Sequence, residues 1–245
     1  MKYYELLPAK NTKEPTPLIL ILPILGRFLF MPDFWMERRI ARFYTARGFA
    51  CAILKRGFFH FSRGGGLDQI DDYLWGMVKL AKRVVGELAK NPQINPNQIL
   101  SLGLSFGGII NVILCAIEPK IKAAVIACAG GNIPEILMTS RDPLVKFYYR
   151  QVLQGTRLNA EDLAEVLKKV LRSEPLVWAP FIPSDKILFV TATLDRVIHK
   201  KYSEMLREAL NYPKTIYLPM GHYFSFLALP YMERRALHFF KQKLL

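Results

Sequence analysis

Around residue 103 the chain has very little room to choose its path. An apolar run of strand length, Gln98-Ile99-Leu100-Ser101-Leu102, leads into Gly103-Leu104-Ser105-Phe106-Gly107-Gly108. A second apolar run of helix length, Ile109 to Ile117, begins at once. A strand that becomes a helix within so few residues must turn very tightly. The backbone of Ser105 is therefore expected at positive φ, and side chains two residues before and after it would collide across the turn, so Gly103 and Gly107 carry none. A serine hydroxyl held in this way stands clear of the sheet, with the N-terminus of the next helix beneath it. This is the pattern of a nucleophile elbow. The pentapeptide alone also fits a glycine-rich turn in other α/β proteins, so the rest of the chain has to decide.

The flanking sequence alternates between two periods. Leu18 to Leu22, Phe49 to Leu54, Ala123 to Cys128, Lys186 to Thr191 and Thr215 to Leu218 are short, mostly apolar runs, as expected of strands buried on both faces. Tyr3 to Leu7 reads as an edge strand. Helices are expected from near Pro32 (with Asp33 and Glu37 in the first turns) to Gly48, then over Asp68 to Lys90, Lys201 to Leu210 and Tyr231 to Lys241. Strand–helix alternation from Leu18 onward predicts an α/β fold with a mostly parallel, doubly wound sheet flanked by helices. No repeat or linker divides residues 1–245, which read as one domain.

One segment breaks the alternation. Residues 132–184 separate two strands and carry a helix from Asn159, an N-cap, through Leu163, Val166, Leu167 and Val170. A second helix is expected over Pro143 to Leu153. An insertion of this size reads as a helical lid over a site.

Composition limits the classes of function. The 245 residues include 34 Lys+Arg and 20 Asp+Glu, a net charge of +14, and residues 1–63 hold eleven of the basic and four of the acidic residues. No nucleic-acid module or basic tail accompanies that charge, so no nucleic-acid partner is expected, and a basic solvated surface explains most of it. No apolar run reaches membrane-span length, and the N-terminus shows no signal-peptide core. Cys51, Cys115 and Cys128 lie in apolar runs and read as buried, reduced thiols of a cytoplasmic protein. Their spacing suits no zinc site. Neither a metal nor a cofactor is expected.

A serine hydroxyl needs a general base, and the base needs an orienting carboxylate. In a parallel sheet these must come from strand C-termini. Asp195 follows the strand ending at Thr191, and His222 follows the strand ending at Leu218. The rivals fit less well: His199 lies too near Asp195, His238 sits within the last helix, His60 precedes the elbow, and Asp185 precedes its strand.

With GLSFGG around Ser105, TATLD ending in Asp195 and PMGH ending in His222, the chain resembles the α/β-hydrolases from about Leu18 to its last helix. It comes nearest to dienelactone-hydrolase and carboxylesterase types, although a serine stands where dienelactone hydrolases use cysteine. The resemblance implies Ser105 as nucleophile, Asp195 as acid and His222 as base. It implies an oxyanion hole with one donor at Phe106 and another in Pro23-Ile24-Leu25-Gly26. Many relatives have His-Gly there. Leu25 is the first choice, with Ile24 and Gly26 open.

The loops beside the elbow are aromatic and basic. Arg27, Phe28, Phe58 and Phe59, with Tyr148 and Trp178 from the insertion, are candidate substrate-binding residues for an apolar or aromatic acyl group. Arg27, Arg56 or Arg63 could meet an anion at the mouth. The reading is a serine hydrolase acting on a small-molecule carboxylic ester. A thioester, lactone or small amide would use the same machinery. A different class, a non-enzymatic binding module or weak contact with an anionic membrane surface, is the remaining alternative.

Overall fold

The computed structural model describes residues 3–245 except 11, 13, 14, 27–30, 57–67 and 157, and for Asp68 its backbone only. Its elements in chain order are β1 (Tyr4–Leu7), β2 (Thr16–Leu22), α1 (Trp35–Thr45), β3 (Ala50–Leu54), α2 (Asp68–Leu88), β4 (Ile94–Leu104), α3 (Phe106–Ile117) and β5 (Ile121–Ala127). There follow α4 (Ile133–Thr139), α5 (Pro143–Thr156), α6 (Ala160–Val170), α7 (Pro175–Trp178), β6 (Ile187–Ala192), α8 (Lys200–Ala209), β7 (Lys214–Leu218) and α9 (Leu229–Leu244).

Among the described residues, seven strands form one sheet in the order β1-β3-β2-β4-β5-β6-β7, and only β1 runs antiparallel, against β3. Side chains of a strand point alternately to opposite faces, and both faces here are covered. In β2, Leu18, Leu20 and Leu22 pack on the side of α2 and α3, while Ile19 and Ile21 pack on the side of α1 and α9. β3, β5 and β6 divide their residues in the same way, which is why these strands read as unbroken apolar runs. Each fully buried Leu or Ile side chain contributes about 1.5–3 kcal/mol through loss of water contact. β4 occupies the middle of the sheet, and the chain order reverses across it. The C-termini of β4, β6 and β7 share one edge.

Some boundaries differ from expectation. α1 starts at Trp35 rather than near Pro32, because Phe34 takes a left-handed conformation (φ 59°) and ends the preceding turn. α9 extends to Leu229–Leu244 with Pro230 in its first turn. Helix α4 has no counterpart in the sequence reading. Its N-cap, Asn132, makes no side-chain cap. The N–H groups of Asn132 and Ile133 are instead taken by the Glu174 carboxylate at 2.8 Å each. The segment between β5 and β6 thus has its entrance and exit tied together. Its far foot is also held by Asp71 of α2, which accepts from Ser173 N–H (2.8 Å), Ser173 Oγ (2.6 Å) and Arg172 Nε (2.7 Å). Among the described residues no helix is long and apolar enough to cross a membrane.

Candidate active site

Ser105 sits between the last residue of β4 and the first of α3, at φ 52° and ψ −118°. Its N–H is held by the Ala127 carbonyl of β5 at 2.7 Å, which pins the strained residue to the neighbouring strand. The two flanking glycines are needed for different reasons. A Cβ on Gly103 would come within 2.2 Å of the Gly107 carbonyl oxygen, across the turn as expected. A Cβ on Gly107 would instead meet the Leu22 carbonyl oxygen at 2.7 Å and that of Pro23 at 2.9 Å. The second glycine therefore lets α3 approach the end of β2 and the loop that follows it.

Asp195 and His222 reach the same place from the ends of β6 and β7. Their loops are stitched together by Thr193 N–H to Leu218 O (2.8 Å) and Leu194 N–H to Met220 O (3.0 Å). His222 Nδ1 lies 2.6 Å from Asp195 Oδ2, and His222 Nε2 lies 2.9 Å from Ser105 Oγ. The other carboxylate oxygen, Oδ1, accepts Val197 N–H (2.7 Å) and Ile198 N–H (2.9 Å). A carboxylate so occupied is an acceptor, so Nδ1 carries the proton and Nε2 is left bare to accept from the serine hydroxyl. Both Asp195 and His222 are buried. An imidazole in this position can take the Oγ proton while the carboxylate stabilises the resulting charge.

Residues outside the sequence motifs support the histidine. Ser225 Oγ donates to the His222 carbonyl (2.5 Å), and Cys128 Sγ donates to Ser225 Oγ (3.4 Å). The Cys128 thiol is pushed up to about 12 by burial. Tyr223 donates to Asp142 at the start of α5, bridging the histidine loop to the insertion. Burial first, and then this bond to Asp142, raises the Tyr223 phenol well above its ordinary value.

Among the described residues, Ser105 lines two cavities. One, with about 740 Å³ of empty space opening to solvent, is apolar and lined by Tyr73, Phe106, Ile109, Ile136, Tyr148 and Ile198 among others. The Tyr73 and Phe106 rings stack at 5.6 Å. The other, about 810 Å³, carries His222, Tyr223, Asp142 and Leu144. Leu25 lines both.

The remaining sequence candidates divide among these surroundings. Phe106 begins α3, where the first N–H groups of a helix lack intrahelical acceptors. Of the three loop residues left open for a second donor, Ile24 is excluded, because its N–H is already given to Glu37 Oε1 at 3.0 Å. Tyr148 lines the apolar cavity. Trp178 lines neither cavity: its ring stacks on Trp75 at 5.5 Å and its Nε1 donates to Arg172 O. It is a packing residue that secures the foot of the insertion. Arg27, Phe28, Phe58 and Phe59, with His60 and Arg63, lie outside the described residues.

Arg56 does not face the mouth as an anion receptor. It donates to the Ile24 carbonyl and to Asp33 and lies 3.9 Å from Glu37. Glu37 is the first-turn acid of α1, as expected, and its side chain is also buried against the same loop. Burial raises its carboxyl above the ordinary value, opposed by the N–H groups of Glu37 itself and Ile24 and by Arg56.

No protein-family model matches the chain, and neither does any curated protein. Solved structures do. Est1E from Butyrivibrio proteoclasticus superposes with a TM-score of 0.69 at 16% identity, over 98% of this chain and 93% of that one. The α/β hydrolase GrgF from Penicillium sp. sh18 gives 0.64 at 19% identity, over 97% and 92%. A hydrolase from Pseudomonas aeruginosa PA01 gives 0.60 at 17% identity, over 96% and 92%. The chain has the α/β-hydrolase fold.

Proposed function

We propose that the protein is a serine hydrolase that cleaves carboxylic esters through an acyl-enzyme on Ser105. One observation carries the reading: the His222 imidazole bridges Ser105 Oγ at 2.9 Å and Asp195 Oδ2 at 2.6 Å. His222 Nε2 takes the hydroxyl proton as Oγ attacks the ester carbonyl. The tetrahedral oxyanion accepts the N–H groups of Phe106 and Leu25. As the intermediate collapses, the imidazolium gives its proton to the departing alkoxide, and a water activated by the same imidazole then releases the acid.

The direction of the substrate follows from that proton. The leaving oxygen must lie beside His222, so the alcohol enters the cavity lined by His222, Tyr223 and Asp142. The acyl group then occupies the apolar cavity lined by Tyr73, Phe106 and Ile109. The insertion, residues 132–184, acts as a cap, since Ile136 and Tyr148 from it wall the acyl side. Est1E is also known with ferulic acid bound, which supports an aromatic acid as a class to try. Thioesters and lactones suit the same machinery. Three free cysteines accord with a reducing, cytoplasmic setting.

Covalent labelling by a fluorophosphonate, with Ser105→Ala as control, tests the reading. Ser105-dependent labelling is expected, and its absence would sink the enzyme. A p-nitrophenyl ester series, compared with acyl-thioesters and aromatic esters, then ranks the substrate classes.

A further inference from the structure

Arg56 and Glu37 line neither cavity, and the reaction as proposed gives them no part. Yet both are charged and largely enclosed, with side chains 12% and 3% exposed. Both are directed at a single residue. Glu37 Oε1 accepts the Ile24 N–H at 3.0 Å, and Arg56 Nη1 donates to the Ile24 carbonyl at 2.9 Å. The guanidinium is itself braced: its other arm donates to Asp33, and its centre lies 4.6 Å over the Phe34 ring.

The consequence comes from peptide geometry. The Ile24 carbonyl and the Leu25 N–H belong to one planar unit, and no cis peptide occurs among the described residues. In a trans unit the C=O and N–H point in opposite directions. Holding the carbonyl toward Arg56 therefore turns the Leu25 N–H away from Arg56. Leu25 lines both cavities, and Ser105 lines both as well, whereas Arg56 lines neither. We propose that Arg56, with Glu37 fixing the other side of Ile24, is a positioning residue that aims the Leu25 N–H at the oxyanion. The inference rests on the Ser105 acyl-enzyme reading. The second donor is then held by a buried ion pair, in a loop that lacks His-Gly.

The test is steady-state kinetics of Arg56→Met, Arg56→Lys and Asp33→Ala on a p-nitrophenyl ester, with circular dichroism to verify folding. Arg56→Met should lower kcat by about 100-fold, the scale of a lost oxyanion donor, with KM little changed and fluorophosphonate labelling of Ser105 slowed in parallel. Arg56→Lys should recover part of kcat, because an ammonium can still reach the Ile24 carbonyl. A folded Arg56→Met enzyme with wild-type kcat overturns the proposal. So does a raised KM at constant kcat, which would make Arg56 a substrate-binding residue. If Arg56→Met does not fold, Asp33→Ala decides. Asp33 is half-exposed, so its loss should loosen the guanidinium without unfolding the chain, and kcat should fall by roughly 5-fold, part of the effect of a lost donor; an unchanged kcat overturns the proposal. Failure of wild-type Ser105 to label is a separate outcome: it removes the hydrolase reading itself and the proposal with it.

Discussion

Asp195 divides its two carboxylate oxygens between different tasks: Oδ2 lies 2.6 Å from His222 Nδ1, while Oδ1 holds the N–H groups of Val197 and Ile198. The residue that orients the imidazole is thus itself oriented by backbone, and Val197 and Ile198 also line the apolar cavity. The position of the acid and the shape of the cavity come from the same turn.

Asp195→Asn should keep the fold and lose the reaction. The amide oxygen can satisfy Val197 and Ile198, which leaves the NH₂ group facing Nδ1. The imidazole must then carry its proton on Nε2, where it cannot accept from Ser105. The expected loss in kcat is on the order of 10³–10⁴-fold, measured on a p-nitrophenyl ester alongside an unchanged circular dichroism spectrum.

The glycines of the two site loops should respond in opposite ways. Gly103→Ala puts a Cβ 2.2 Å from a backbone oxygen that cannot move without opening the turn. It should destabilise the protein by about 3 kcal/mol or more or prevent its folding. At Gly221, beside His222, the nearest atom to an added Cβ is 3.6 Å away. Gly221→Ala should stay within about 0.5–1 kcal/mol of wild type. Urea unfolding of the two variants distinguishes them.

Asp71 should make the insertion's anchorage sensitive to acid. Burial pushes its carboxyl up, but the bonds from Ser173 and Arg172 outweigh burial and leave it below the usual 3.8. A carboxyl lowered in the native state stabilises it above the unfolded value, and that contribution is lost as pH falls through the native one. Asp71→Ala leaves the two buried donors of Ser173 unpaired, at a cost of about 2–4 kcal/mol. The Tm gap between wild type and Asp71→Ala should be constant from neutral pH to about 5 and shrink below about 4. A gap that widens in acid would contradict this assignment.

The three cysteines should be inert in the native protein. Burial pushes the Cys115 and Cys128 thiols up to about 12, and it raises Cys51 further. At pH 8 the thiolate fraction of a group near 12 is on the order of 10⁻⁴. A disulfide-exchange reagent should react with all three only after denaturation, and pretreatment of the native enzyme should leave ester turnover unchanged.

Much of this arrangement is legible in the sequence because burial on both faces writes strands as continuous apolar runs. Leu18 to Leu22 and Lys186 to Thr191 could be placed without knowing their neighbours, and once their ends were placed, Asp195 and His222 fell on the edge that holds Ser105. What escaped depends on partners far away in the chain. Helix α4 starts at an Asn132 whose capping comes from Glu174, 42 residues later. Glu37 read only as a first-turn acid and Arg56 as an anion contact at the mouth, since nothing local marks a side chain that will be enclosed by a loop from another strand. Trp178 read as a pocket residue because an aromatic ring bears no mark of what it will stack on.

The pairing of Glu174 with Asn132 and Ile133 also bears on how such a chain can diversify. The start and finish of the insertion already touch, so the sheet sees the same two anchor points whatever runs between them. Lengthening a closed loop is inexpensive, roughly 0.6 kcal/mol per doubling. The stretch from α4 to α6 is in that sense an exchangeable cartridge: recutting it remodels one wall of the apolar cavity while the strand ends bearing Ser105, Asp195 and His222 keep their register.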